Sequence, residues 1–240
     1  MFYNCIKLSN LNLGNFNTES ATATYHMFDS CVSLTSLDIS SFNTKNVTDM
    51  SYMFGKNPDS ILAKDLTSKL KTINFGNNFN TINVDKMQHM FDQCASLSSI
   101  NSTEDGTFDL SMFDFKNATE VSWFISGCNS CTKAIWGDVA FKEGSSIYGF
   151  MAVCLSLVIA DCFGLDTTNV SWLDEAFRGD TALTTIYCSS GTAWSGEGND
   201  IFTGDTALKG GNNTSYDSNH ADITYAREET VGNPGYFIAK

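Results

Sequence analysis

The sequence predicts an α/β solenoid, in which a short unit of one parallel strand and one helix repeats along the chain. Three observations predict it. A Met-Phe pair recurs at nearly constant intervals, an apolar run with strand-like alternation follows each pair, and a helix-like apolar spacing precedes the next pair. Repeats of this length are typical of stacked folds, since one unit cannot bury its apolar side alone.

The Met-Phe pair sets the period of the repeat, and each stretch from one pair to the next is one copy. The pairs, some of them degenerate, begin at Met1, Met27, Met53, Met90, Phe124, Phe150, Ala176 and Ile201. Most steps are 25 or 26 residues long. The two longer steps indicate insertions, which we place near residues 55–64 and 103–110, so the chain is predicted to hold about seven to eight copies.

Each pair is followed by a predicted strand. In the second copy Leu34, Leu37 and Ile39 form an L-x-x-L-x-L run, whose alternation favours a strand with one buried face. Val47, Met50, Met53 and Phe54 then stand three, six and seven residues apart, which is typical of an apolar helix face. Stacked copies would place their strands side by side in a parallel sheet.

The repeat weakens toward its last copies. We therefore predict a solenoid over residues 1–209 and a capping segment over residues 210–240, which would cover the last copy. Tyr225, Tyr236 and Phe237 are the expected anchors of this segment.

Residues 27–54 carry the motif MF-x-x-C-x-S-L-x-S-L-x-I-x-x-F-N-T-x-x-V-x-x-M-x-x-MF. In this motif the chain resembles the BspA-like leucine-rich-repeat surface proteins, whose repeat is related to one first noted in mycoplasma lipoproteins. The segments TALKGGNNTSYD, ITYAREE and NPGYF also resemble the end of that family. The resemblance implies a leucine-rich-repeat-like fold in a secreted or wall-attached bacterial protein that adheres to host proteins or other cells, and it supplies no catalytic residues.

Composition excludes several classes of partner. The formal net charge is -13 and no lysine- or arginine-rich run is present, which argues against nucleic-acid binding. No apolar run approaches the roughly 18 residues of a membrane span. The start of the chain lacks a signal-peptide pattern, which we interpret as the result of cutting a longer precursor.

The eight cysteines fall in apolar columns of the repeat, so we expect buried free thiols. Disulfides between column neighbours such as Cys162 and Cys188 remain an alternative, because stacked strands lie about 4.8 Å apart. A zinc or redox half-site at Cys128 and Cys131 is a second alternative, although no other CxxC is present.

No metal, cofactor or catalytic site is predicted. His26 and His89 share a repeat position but are separated by the copy that contains Tyr52, about 10 Å in all, which is too far for one zinc ion. His220 has no evident partner, and the common hydrolase, metalloprotease and P-loop motifs are absent.

The outward strand positions supply the candidate site. They are small and polar in the first copies, whereas Ile135, Ile159 and Tyr187, with Val158 beside them, bring apolar groups to the later ones. Such a patch is typical of an interaction surface. The alternative is that the C-terminal segment folds back and covers it.

These observations favour a non-enzymatic extracellular adhesion or recognition module, monomeric, that binds a host or cell-surface protein. A structural spacer or stalk that displays another domain is the alternative. A carbohydrate-active enzyme is a third hypothesis, which requires clustered carboxylates in a cleft.

Overall fold

The computed structural model describes residues 1–240 and contains eleven short strands, which pair in parallel and are joined by turns. The strands are β1 (Ser36–Asp38), β2 (Thr72–Asn74), β3 (Thr107–Asp109), β4 (Lys133–Ile135), β5 (Val139–Ala140), β6 (Ser145–Ser146), β7 (Ile159–Asp161), β8 (Leu165–Asp166), β9 (Val170–Trp172), β10 (Thr185–Cys188) and β11 (Phe237–Ala239). The only helices are 3₁₀ turns at Leu110–Met112, Ser218–His220 and Ile223–Tyr225. None of them has the length and apolarity needed to cross a membrane.

Strand pairing follows the repeat. Strands β3, β4, β7, β10 and β11 form one parallel sheet with β3 and β11 at its edges, while β1 and β2 form a separate parallel pair. Ala134 lies opposite Ala160, and Ile186 lies between Ala160 and Phe237. Equivalent residues of successive copies therefore lie side by side.

The second predicted insertion contains a strand, which corrects the expectation of a loop over residues 103–110. Strand β3 occupies Thr107–Asp109 and pairs with β4, and Phe108 also forms a parallel bridge with Ile100. The physical reason is alternation, because Phe108 is fully buried and fills the inward column between Ile100 and Ala134. In residues 55–64 the structure has turns and neither strand nor helix.

The helix predicted from the spacing of Val47, Met50, Met53 and Phe54 is absent, and turns take its place. The Met50 N–H donates to the Lys86 carbonyl at 2.8 Å and the Tyr52 N–H donates to the Gln88 carbonyl at 3.0 Å, both in the next copy. These donors therefore do not make the i to i−4 bonds of an α-helix. Tyr52 also has a left-handed φ of 56°, which breaks a right-handed helix.

The inward-facing residues were nevertheless predicted correctly. Phe42, Val47, Met50 and Met53 are all fully buried in one continuous core. The phenylalanines of the Met-Phe pairs contact one another along the repeat, with ring centroids 5.2 to 6.0 Å apart between successive copies; all of these pairs are stacked except Phe91 and Phe124, which meet edge to face. These phenylalanines are Phe2, Phe28, Phe54, Phe91, Phe124 and, in the next copy, Phe150.

The segment after residue 209 joins the sheet at its edge. Strand β11 pairs with β10 in parallel, with Tyr187 opposite Ile238. Tyr236 and Phe237 are fully buried, whereas Tyr225 is only partly buried. The segment thus extends the sheet sideways. The division of the chain at residues 209 and 210 stays a prediction.

Candidate protein-binding site

The outer face of β4, β7 and β10 carries the predicted site residues in two files. In the first file Ile135 lies opposite Asp161, and Asp161 lies opposite Tyr187. Ile238 of β11 continues this file beyond Tyr187. The two apolar groups Ile135 and Tyr187 are therefore separated by a carboxylate.

The second file has the opposite arrangement, with one apolar residue between two polar ones. Ile159 lies between Lys133 and Thr185 in the strand register. Val158 directly precedes β7 and is 39% exposed. All four predicted residues thus lie on or beside neighbouring strands, but they form a mixed surface of alternating apolar and polar groups instead of a continuous apolar patch.

Lys240 reaches across this surface from the edge of the sheet. Its Nζ forms an ion pair with the Asp161 carboxylate, and it lies 5.4 Å from the centroid of the Tyr187 ring and 5.9 Å from that of Phe163. A cation near aromatic ring faces is stabilised by their quadrupoles. Because β11 pairs beside β10, the C-terminal segment borders the face, and Lys240 is the residue that contacts its centre.

Phe163 belongs to this surface and was missed by the sequence analysis. It follows β7, and its side chain is 44% exposed. The signal was an aromatic residue just after a strand and just before Gly164, which has a φ of +82° in a turn. Strand alternation assigns no direction to a residue in such a position.

A second aromatic feature lies at the position just before the Met-Phe pair. The rings of His26, Tyr52 and His89 stack with centroids 4.7 and 4.3 Å apart, and Trp123 follows at 6.3 Å. All four residues have left-handed φ angles between 52° and 57°, which direct similar side chains outward from successive copies. The Tyr52 ring therefore separates the two histidines, as the repeat predicted.

Each of these histidines is paired with a carboxylate of its own copy. His26 Nδ1 lies 2.5 Å from Asp29 Oδ2, and His89 Nδ1 lies 2.8 Å from Asp92 Oδ2. Burial raises the pKa of Asp92, and the hydrogen bond from His89 opposes that shift. No group of three or more histidine, cysteine or acidic side chains is arranged to hold a metal ion.

The cysteine column has a polar role that composition did not reveal. The Cys31 thiol donates to the Phe2 carbonyl at 3.0 Å, and the Cys154 thiol donates to the Ile125 carbonyl at 3.1 Å, in each case in the preceding copy. All eight cysteines are free. Burial raises the pKa of Cys31 to about 12, so these thiols are poor nucleophiles at neutral pH.

Two aspartates take over this column in the last copies. The Cys154 N–H donates to Asp180 Oδ1 at 2.7 Å, and the Asp180 N–H donates to Asp205 Oδ1 at 2.8 Å. Both carboxyls are fully buried, and neither Oδ2 atom has a hydrogen-bond partner. Burial raises the pKa of both, that of Asp205 to about 9. The raised pKa of each carboxyl favours its neutral form.

The fold and its outer face define a protein of stacked parallel strands that presents a mixed apolar and polar strand surface. Residues 1–99 match the model of a family described as Mycoplasma protein of unknown function, DUF285. This match covers β1 and β2 and ends before the candidate site. No curated protein and no solved structure matches the chain.

Proposed function

We propose that this chain is a solenoid of the BspA-like kind and acts as a non-enzymatic extracellular recognition module. It binds a host or cell-surface protein through the outer face of β4, β7 and β10. The observation that carries the proposal is that Ile135, Ile159 and Tyr187 are partly exposed on neighbouring strands whose inward residues are fully buried. The family match over residues 1–99 and the motif resemblance support a surface-type repeat protein.

Rigidity makes this face suitable for recognition. Ala134, Ala160 and Ile186 anchor the three strands from below, and each is completely buried. A preorganised surface loses little conformational entropy when a partner binds. Tyr187 supplies the kind of amphipathic aromatic group that commonly dominates binding energy, and polar neighbours such as Lys133 add specificity.

The test is binding of the monomeric chain to a panel of host matrix and plasma proteins on a sensor surface. Ile159→Asp and Tyr187→Asp should each abolish binding, because each replaces an apolar contact by a carboxylate that loses its hydration when the partner covers it. The matched control is Thr72→Asp, which places the same charge on the outer face of β2. Circular dichroism should show that all three variants fold. Unchanged binding by the β7 and β10 variants would remove this face from consideration.

The second candidate function is a spacer that displays another domain. It is favoured by a line of single-residue parallel bridges that links successive copies, with Asp49 paired to Lys86 and Lys86 paired to Glu120. Such continuous hydrogen bonding makes a stiff rod. A spacer should capture nothing from the protein panel. A carbohydrate-active enzyme is not favoured, because Asp180 and Asp205 are enclosed in the core and do not line a cleft.

A further inference from the structure

The first insertion exposes two adjacent aliphatic side chains. Ile61 is 85% exposed and Leu62 is 59% exposed, and Leu66 nearby is 40% exposed. We call Ile61 and Leu62 the insertion tip. Isolated surface aliphatic residues are common, but neighbouring ones at a loop apex are typical of a contact site.

The insertion tip is held in place by buried residues on both sides. Ser60 and Ala63 are buried, and the Ser60 hydroxyl donates to Asn4 Oδ1 at 2.6 Å. The Ala63 N–H donates to the Ser60 carbonyl at 3.1 Å, which closes the turn. Ile61 and Leu62 therefore project outward from a fixed base and cannot fold inward without breaking these contacts.

The sequence segment that contains the insertion tip has a net charge of opposite sign to that of the whole chain. Residues 55–72 carry four lysines and two aspartates, a net charge of +2. Because the whole chain has a net charge of -13, the other residues together carry -15. These charged residues are Lys56, Asp59, Lys64, Asp65, Lys69 and Lys71. Lys64, Lys69 and Lys71 are exposed, and Lys56 Nζ donates to the Lys64 carbonyl at 3.0 Å, beside the insertion tip.

We propose that the insertion tip docks on an anionic lipid surface. Ile61 and Leu62 enter the boundary between headgroups and acyl chains, and Lys64, Lys69 and Lys71 attract the negative headgroups. Apolar insertion combined with flanking lysines is the usual basis of reversible membrane-surface binding. A protruding tip with basic flanks fits a flat anionic surface better than an apolar protein pocket, and this contact is independent of the strand face proposed above.

Co-sedimentation of the full chain with vesicles tests the proposal. Wild type should bind phosphatidylcholine vesicles that contain phosphatidylglycerol, bind pure phosphatidylcholine vesicles more weakly, and release as salt rises. The double variant Ile61→Ser with Leu62→Ser should lose about tenfold or more in affinity, because two inserted aliphatic groups are removed. Lys64→Gln with Lys69→Gln should reduce binding to the anionic vesicles only.

The matched control is Val231→Ser, since Val231 is a single aliphatic residue that is 97% exposed away from the insertion. Its vesicle binding should equal that of wild type. Absence of wild-type binding to anionic vesicles, equal binding to neutral vesicles, or full binding by the double serine variant would each overturn the proposal. If the wild-type chain does not bind vesicles but captures a protein, and the double serine variant loses that capture, the insertion tip is a protein contact and the proposal is wrong.

Discussion

Replacing Asp205 with asparagine should stabilise the protein at neutral and alkaline pH and have almost no effect in acid. Asp205 is fully buried, and burial raises its pKa from 3.8 to about 9. Folding at neutral pH therefore requires a proton on this carboxyl. Asparagine keeps the Oδ1 acceptor for the Asp180 N–H and carries no charge at any pH.

The size of the effect follows from the ordinary pKa of the unfolded carboxyl. Neutralising a group of pKa 3.8 at pH 7 costs about 4 kcal/mol, at about 1.4 kcal/mol per pH unit. Because the folded-state pKa is the higher one, stability is fully present below about pH 4 and is lost as pH rises toward 9. The variant avoids this loss, but Oδ2 of Asp205 has no hydrogen-bond partner, so the amide leaves two unpaired N–H donors where the acid leaves one O–H. We therefore expect a gain of about 1 to 3 kcal/mol at pH 7.

Urea unfolding followed by circular dichroism at about pH 4, 7 and 9 measures the difference. The gap between Asp205→Asn and wild type should widen with rising pH. Asp180 interacts electrostatically with Asp205 and with the buried thiols of Cys131 and Cys154. Asp180→Asn should therefore also raise stability more at high pH than at low pH. Asp166→Asn, at an exposed site on β8, should change stability by less than about 0.5 kcal/mol. A pH-independent loss of stability in Asp205→Asn would show that this carboxyl is ionised in the fold and would refute the reasoning.

Two further substitutions test the backbone of the turns. Val153 has a left-handed φ of 61° although it is β-branched, so Val153→Gly should raise the free energy of unfolding by about 0.5 to 1 kcal/mol. Urea titration measures this change. A lower free energy of unfolding would mean that the exposed Val153 side chain contributes more stability than the backbone strain costs. Gly149 has a φ of 58°, and an added Cβ would approach the Trp123 ring to 2.6 Å. Gly149→Ala should therefore lower the free energy of unfolding by about 2 kcal/mol or more and alter tryptophan fluorescence. An unchanged free energy of unfolding would contradict the tight contact.

The sequence was sufficient for the inside of the fold and insufficient for its turns. Phe42, Met50 and Met53 could be assigned to the core because the same apolar residue types recur at equivalent positions of the repeat. Such recurrence is typical of side chains that stack in a buried column. The prediction of a helix was wrong because apolar residues that recur every third position fit a series of tight turns as well as a helix. Only the partners of the Met50 and Tyr52 N–H groups, which lie in the next copy, distinguish the two.

The candidate surface divides in the same way. The register that brings Ile135, Asp161 and Tyr187 together follows from counting along the repeat. The strand pairing in the structure shows the same register. The contact of Lys240 with Tyr187 and Asp161 lay beyond such counting, because the last strand belongs to no copy of the repeat. Asp180 and Asp205 were missed because a charged residue type conceals a neutral buried role, although their alignment with the cysteines was visible.

The hydrogen bonds between copies have a consequence for how the chain can change in length. Backbone N–H groups of one copy donate to carbonyls of both neighbouring copies, as from Met50 to Lys86 in the following copy and from Thr48 to Thr22 in the preceding one. Every internal copy is thus interchangeable as a donor and an acceptor. Gain or loss of a whole unit by recombination preserves each bond, whereas a frame-preserving deletion of a few residues disrupts a row of them. Lengthening by duplication of a whole copy therefore conserves the bonding that holds neighbouring copies together.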